Sequence, residues 1–285
     1  MLKLVKTFIK KVFPQSVLRW RARKILSSNM DQDLNLIANI TRYLTALPGG
    51  QAFVGHFSNA KTGIDVGACG GEYSIVMSDM FQRVLAIEPT ADMASRLRAS
   101  LPSNCEVVEC VLGDKPGEAS LRVPKKDGSR LHALATVAEH GFAFSDIGAV
   151  DTTVVKQCTL DQLVSDRGVA PSFVKIDVEG YEGKVLSGAL KVIETCRPVF
   201  IVEIEKRHNK EFAQIFSLLG SYGYVPYHFR AGALTKSGPS VVEDSFEYLQ
   251  KREVSGMDEV IESKMSERYT NNFVFLPQEP ATRRS

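Results

Sequence analysis

An apolar run, Gly63-Ile64-Asp65-Val66, leads straight into Gly67-Ala68-Cys69-Gly70-Gly71-Glu72-Tyr73, and no other stretch narrows the fold as much. The run reads as a buried strand. The glycines after it permit positive φ and carry no Cβ, so a ligand can touch the backbone there, and the helix that follows offers free N–H groups to the same space. Glu88 closes the next apolar run, Val84-Leu85-Ala86-Ile87. An acid at that place can accept both hydroxyls of a ribose.

Turn and acid together are shared by dinucleotide enzymes and by S-adenosylmethionine enzymes, so the turn has to discriminate. The dinucleotide spacing G-x-G-x-x-G is absent. Asp65, just ahead of the turn, would repel a pyrophosphate but suits the cationic amino-acid end of S-adenosylmethionine; its simpler reading is a residue that organises the loop by hydrogen bonding. The residues favour adenosylmethionine over NAD, with Asp65, Gly67, Ala68, Cys69, Gly71, Tyr73 and Glu88 as candidate contacts. Asp114, after Cys110-Val111-Leu112-Gly113, is expected beside the adenine, although Asp114-Lys115-Pro116-Gly117 is also ordinary turn chemistry.

Further strand-like runs occupy Val107–Leu112, Phe173–Ile176 and Val199–Ile204, with helix-compatible segments in several of the gaps. Such alternation predicts a parallel sheet covered on both faces. Leu121–Val123 and Thr152–Cys158 read as additional strands, and Pro124–Val150 between them as a long loop with a helical turn, a common substrate-facing device. Tyr224–Phe229 and Asn272–Leu276 resemble a final antiparallel pair separated by a polar insertion. Thr159-Leu160-Asp161-Gln162 has the form of a capping box, and Pro198 marks the start of a strand.

Phe173-Val174-Lys175-Ile176-Asp177-Val178-Glu179-Gly180 carries a strand into a cluster of ionisable groups, where ligands of open α/β sheets bind. Here the chain resembles the FkbM family of methyltransferases. Asp65 to Tyr73 is similar to that family's Asp-x-Gly-Ala-Asn-x-Gly-x-Tyr element, Glu88-Pro89 to its Glu-Pro, Thr159-Leu160-Asp161 to its Thr-Leu-Asp, and Lys175 to Gly180 to its Lys-Ile-Asp-Val-Glu-Gly. Leu186-Ser187-Gly188-Ala189 and Val202-Glu203 continue the agreement, which spans roughly residues 62–205. Cys69 departs from the family's asparagine and removes an amide that could contact the cofactor.

The resemblance implies a Rossmann-like class I methyltransferase fold, α/β, with a mostly parallel seven-stranded sheet flanked by helices. It further implies transfer of a methyl group from S-adenosylmethionine to oxygen, on a small-molecule or glycan acceptor. A sugar or glycan precursor is the first expectation and a soluble secondary metabolite the second. A binding protein that retains the fold without the reaction is a third, disfavoured by the intact Asp65, Glu88, Asp177 and Glu179. An alcohol needs a nearby base, or a cation to stabilise the developing alkoxide. Asp177, Glu179, Glu203 and His208 are the candidate catalytic residues. Asp177 and Glu203, at the ends of neighbouring strands, are also candidate ligands of a hard cation such as magnesium. Against these roles stand simpler ones: Lys175 can pair with Asp177, and Glu179 or Glu182 can cap the next helix. His132 and His140 have no partner recognisable from the sequence.

Residues 1–30 hold eight basic groups and no acid, so the remainder carries −6 beneath an overall +2. Leu2, Val5, Phe8, Ile9, Val12 and Phe13 recur at helical spacing among lysines, and Val17, Leu18, Trp20, Ile25 and Leu26 continue among arginines. Residues 1–26 suit an anionic membrane surface, or equally a helix packed on the domain with its lysines in water. Nucleic-acid binding is not expected, because the basic groups sit at one end of an otherwise acidic chain. We divide the chain into a helical extension, 1–50, and a methyltransferase domain, 51–285. Leu34, Ile37, Ile40, Leu44 and Leu47 form a helix ended by Pro48-Gly49-Gly50. The five scattered cysteines suit reduced thiols in the cytoplasm. A peripheral position at the inner membrane face is the expectation where the basic end engages lipid. Nothing in the sequence bears on oligomeric state.

Overall fold

The structure is a computed structural model and describes residues 36–47, 61–139, 147–230, 232–252 and 269–278. The basic segment 1–26 and His140 lie outside the described residues. The first described element is α1 (Ile40–Thr45). Leu36, Ile37, Ile40 and Leu44, at helical spacing, are fully buried in one cluster with Phe173, Val199, Ile201 and Val274. Residues 36–47, assigned by sequence to the extension, therefore share a core with the domain that follows.

Strand and helix then alternate: β1 (Thr62–Val66), α2 (Glu72–Ser78), β2 (Arg83–Ile87), α3 (Ala91–Ser100) and β3 (Cys105–Val108). Next come β4 (Val111–Leu112), β5 (Gly117–Lys126), β6 (Ser129–Arg130), a 3-10 turn at His132–Leu134, and β7 (Ala149–Cys158). Alternation resumes with α4 (Leu160–Arg167), β8 (Pro171–Ile176), α5 (Glu182–Ser187), β9 (Val199–Glu203) and α6 (Ala213–Ser221). The last elements are β10 (Tyr224–Arg230), β11 (Ala233–Lys236), α7 (Pro239–Lys251) and β12 (Asn272–Pro277).

The main sheet has the order β11-β10-β12-β9-β8-β1-β2-β3. From β9 to β3 all pairings are parallel, while β12 runs antiparallel between β9 and β10. The chain leaves β1 toward β2 on one side and returns at β8 on the other, which opens a crevice at the carboxyl ends of β1 and β8. Successive β8 residues face opposite layers: Phe173 joins the cluster that holds α1, and Val174 and Ile176 join the other. Burial on both faces is why the inner strands are continuously apolar rather than alternating.

Two expectations need correction. The main sheet has eight strands rather than seven, because β11 folds back on β10; its Ala-Leu-Thr-Lys sequence buries only Leu234 and shows no strand pattern. Val107–Leu112 is not one strand either. Glu109 turns to solvent and Cys110 packs its sulfur 3.5 Å from that of Cys158, so Val111 and Leu112 pair with Gln157 and Cys158 in a second sheet of order β4-β7-β5-β6. All five cysteines are free.

The capping box forms in part: Thr159 Oγ1 accepts the Gln162 N–H at 3.0 Å and starts α4. Asp161, two residues on, accepts the N–H groups of Lys191 and Val192 with its two carboxylate oxygens. Gly188 lies so close to the chain that a Cβ there would sit 2.0 Å from the Gly113 carbonyl oxygen. The Thr-Leu-Asp and Leu-Ser-Gly-Ala elements therefore lock α4 to the segment after α5. Replacing the cap, Thr159→Ala, should cost about 1 kcal/mol in urea unfolding, with Thr159→Ser close to wild type; equal losses in both variants would assign the effect to packing instead.

Candidate active site

At the end of β1 the chain turns against its neighbours on both sides. The N–H groups of Gly67 and Ala68 donate to the Ile87 carbonyl at 3.1 and 2.9 Å, and Asp177 N–H donates to the Val66 carbonyl at 3.0 Å. Gly67 has φ +84°, and a Cβ there would lie 1.9 Å from the Asp177 carbonyl oxygen. Only glycine allows the turn to press on the end of β8 in this way. Gly71 takes φ 83° as the N-cap of α2.

Glu88 leaves β2 almost fully buried. Its Oε2 accepts the Cys69 N–H at 3.0 Å, and Oε1 accepts the Thr90 N–H at 2.8 Å and hydroxyl at 2.5 Å. Burial pushes its pKa up, against the hydrogen bonds from Thr90 and Cys69. These donors tie acid and turn into one rigid unit, with the carboxylate on a cavity wall. The cavity, about 230 Å³, is bounded by the turn, Glu88-Pro89, the apolar pair Val111-Leu112, the segment around the 3-10 turn, and residues 177–181.

Gly67, Ala68, Cys69, Tyr73, Glu88, Asp177 and Glu179 all line this cavity. Asp65 lies beneath the turn instead, fully buried, accepting the Ser74 hydroxyl at 2.6 Å with Lys175 Nζ 3.9 Å away. Burial raises its pKa, opposed by Lys175 and Ser74. Asp114 is not among the residues on this wall: its carboxylate accepts Lys184 Nζ at 2.8 Å, while Val111 and Leu112 line the cavity.

Lys175, 1% exposed, is the cation on which the carboxylates converge. It faces Asp65 across the parallel pairing of β1 with β8, donates to Asp177 Oδ2 at 3.1 Å, and lies 4.2 Å above the Tyr73 ring. Burial alone would lower its pKa, but Asp177 and Asp65 outweigh that and hold it charged. The pairing of Lys175 with Asp177 read as the simpler alternative is thus present, while Asp177 still faces the cavity.

Oxygens of Asp177, Glu179 and Glu203 lie within 4.8 Å of one another. His208 Nδ1 meets Glu179 Oε2 at 2.6 Å, and although burial disfavours the imidazolium, the Glu179 charge and hydrogen bond carry the pKa above its ordinary value. Asn271 donates to both Glu203 and Glu205, Tyr269 to Glu205 at 2.6 Å, and Arg207 pairs with Glu205. The four candidate catalytic residues therefore come together, with Glu203 and His208 just behind the wall that Asp177 and Glu179 form. Glu182 does not cap α5, whose N-cap Tyr181 makes no side-chain cap bond; its Oε1 instead accepts the Gly180 N–H at 2.8 Å in the turn ahead of the helix.

Several wall residues carry no sequence signal. His132, in the 3-10 turn, pairs through Nε2 with Asp92 at 3.2 Å, and Thr136 donates to the Glu179 carbonyl at 2.8 Å, fastening this segment over the cavity. Burial lowers the His132 pKa, against the attraction of Asp92. Both partners are remote in sequence and follow no spacing rule.

A mostly parallel sheet of this order, with β12 antiparallel beside β9 and a glycine turn, buried acid and acidic cluster at one crevice, has the Rossmann-like class I methyltransferase fold. The chain belongs to the FkbM methyltransferase domain family, whose model matches residues 65–226. Among solved structures it is similar to the methyltransferase FkbM of Methylobacillus flagellatus KT, at 16% identity over 76% of this chain and 43% of that one, TM-score 0.44. This chain thus spans less than half the length of that protein. It is also similar to the precorrin-6y C5,15-methyltransferase of Geobacter metallireducens GS-15, at 14% identity over 63% and 72% of the two chains, TM-score 0.35. The O-methyltransferase TomG of Streptomyces achromogenes matches at 11% identity over 86% and 88%, TM-score 0.38. No curated protein matches the sequence.

The burial of Glu182 has a pH signature. Its pKa is pushed up from 4.5 to about 7, so the folded protein keeps a proton that the unfolded chain has lost, and stability from this group falls as pH rises through that interval. Glu182→Gln should remove that slope. Relative to wild type, the variant is expected to gain up to about 3 kcal/mol between the two ends of the interval in urea unfolding; parallel pH profiles would show that Glu182 titrates normally.

Proposed function

We propose that this protein is an S-adenosylmethionine-dependent O-methyltransferase acting on a hydroxyl of a sugar or glycan precursor. The observation that carries the reading is one cavity whose wall holds the glycine turn and Glu88 together with Asp177 and Glu179. The Glu88 part of the wall fits a nucleoside: a carboxylate fixed by three protein donors keeps one acceptor site, on Oε2, for a ribose hydroxyl, and Val111 and Leu112 add apolar surface for a base. The Asp177 and Glu179 part of the wall is anionic and suits a sulfonium cation.

S-adenosylmethionine, when bound, supplies an activated methyl group with a good leaving group. What remains for the chain is alignment and removal of one proton. Glu179, on the wall, accepts the proton from the acceptor hydroxyl as the oxygen–carbon bond forms, and the sulfur keeps the electron pair of the broken bond. His208 holds Glu179 in place through the 2.6 Å contact, and Lys175 holds Asp177. The three carboxylates also have the donor chemistry of a magnesium site, where a cation would stabilise the acceptor oxygen. Lys175 on Asp177, His208 on Glu179 and Asn271 on Glu203 already serve these groups, and our reading assigns the proton transfer to the side chains alone.

None of the described helices is long and apolar enough to cross a membrane. We read residues 1–26 as a contact to an anionic bilayer surface, which would place the enzyme at the inner face of the membrane on the cytoplasmic side. Deleting them should abolish sedimentation with phosphatidylglycerol vesicles and leave cofactor affinity unchanged; undiminished sedimentation would leave the segment as a packing element.

Calorimetric titration with S-adenosylhomocysteine tests the central assignment. Saturable binding is expected, weakened about 10- to 100-fold in Glu88→Ala by loss of a charged hydrogen-bond acceptor, with no binding of NAD. Absence of binding to wild type would favour a fold retained without its reaction.

A further inference from the structure

A second cavity, of about 670 Å³, opens beside the first. Tyr181 and Val137 stand on the walls of both. Glu179, the proposed base, lines the first cavity and Gly180, the next residue, lines the second, while Asn209 on the second follows His208 in the chain. From there the groove runs between α5, which contributes Lys184 and Ser187, and α6, which contributes Gln214, Ile215 and Leu218.

The chemistry of this groove is mixed in a particular way. Tyr181, Val137, Ile215 and Leu218 supply apolar surface of the kind against which the C–H face of a sugar ring packs. Asn209, Gln214, Glu139 and Glu211 supply amide and carboxylate partners for hydroxyl groups. Asn209 Oδ1 is held by the Glu211 N–H at 2.9 Å, which fixes its amide. The charges are one-sided. Lys184 is the single basic side chain among the described lining residues, and its ammonium is committed to Asp114 at 2.8 Å, leaving Glu139 and Glu211 to set the sign. A phosphate or uronate in the groove would be repelled by these two carboxylates, with Lys184, the one cation among the described lining residues, already paired, whereas a neutral or amino-bearing sugar would meet no such repulsion.

Resting on the methyltransferase reading above, we infer that the groove between α5 and α6 is the acceptor site, and that it takes a neutral or amino-bearing sugar unit and rejects one carrying phosphate or carboxylate at the bound ring. Saturation-transfer NMR on the full chain saturated with S-adenosylhomocysteine tests this with methyl glucoside, glucosamine and glucose 6-phosphate as probes. The first two should give transfer signals and the phosphate ester none. Leu218→Trp, which fills the groove away from the first cavity, should lower the signals about tenfold and leave S-adenosylhomocysteine affinity and the melting temperature in place. Glu139→Lys with Glu211→Lys should admit glucose 6-phosphate. Equal signals from the phosphate ester in wild type, signals untouched by Leu218→Trp, or no signal from any probe would each overturn the inference. Sugar binding without S-adenosylhomocysteine binding would instead sink the methyl-transfer reading and leave the groove standing.

Discussion

Lys175 is where fold and site depend on each other. An ammonium 1% exposed between the carboxylates of Asp65 and Asp177 is held by charge on both sides, and its place opposite Asp65 fixes how β1 and β8 align. Breaking a buried pair of this kind costs about 3–5 kcal/mol, because the charge left behind has no solvent. The pairing also has a positional consequence. It ties the acid under the glycine turn to an acid on the cavity wall, so the glycine turn and the carboxylate cluster are set by one contact.

Around that contact the carboxylates would repel one another if they were not individually served. Glu179 has His208, Glu205 has Arg207 and Tyr269, and Glu203 shares the Asn271 amide with Glu205. Asn271 sits immediately before β12, the antiparallel strand inserted next to β9, so the last strand of the sheet stabilises charges grouped at its centre. This gives a physical reason for threading β12 between β9 and β10: the threading brings the neutral donors Asn271 and Tyr269 to Glu203 and Glu205.

What could be read from the sequence was whatever is encoded locally. The strand ends at Val66, Ile87 and Ile176 follow from short apolar runs stopped by glycine or acid, and the Thr159 cap needs only the residues of its own first turn. The carboxylates at 177, 179 and 203 converge because parallel neighbouring strands deliver their ends to one edge. Asp65 went beneath the turn because a strand residue next to Val66 faces the layer holding Ser74 and Lys175, and alternation alone does not say which layer holds the ligand. Asp114 was drawn away by Lys184, a partner on α5 that no spacing rule connects to it. The jump of the chain between sheets at Glu109 and Cys110 was hidden because both halves are apolar and extended, and only a distant partner, Cys158, separates them.

The second sheet explains why the motifs stop where they do. Its strands β5 and β7 run antiparallel over their whole length and need nothing from the crevice, yet they project the 3-10 turn and Thr136 over it. A roof carried on its own sheet can change its side chains without disturbing β1 or β8, while a change at Gly67 or Lys175 disturbs both. The glycine turn and the acidic cluster are therefore bound to rigid, sequence-recognisable strand ends, and residues that shape the space around them, such as His132, Thr136 and Tyr181, are placed by partners remote in sequence.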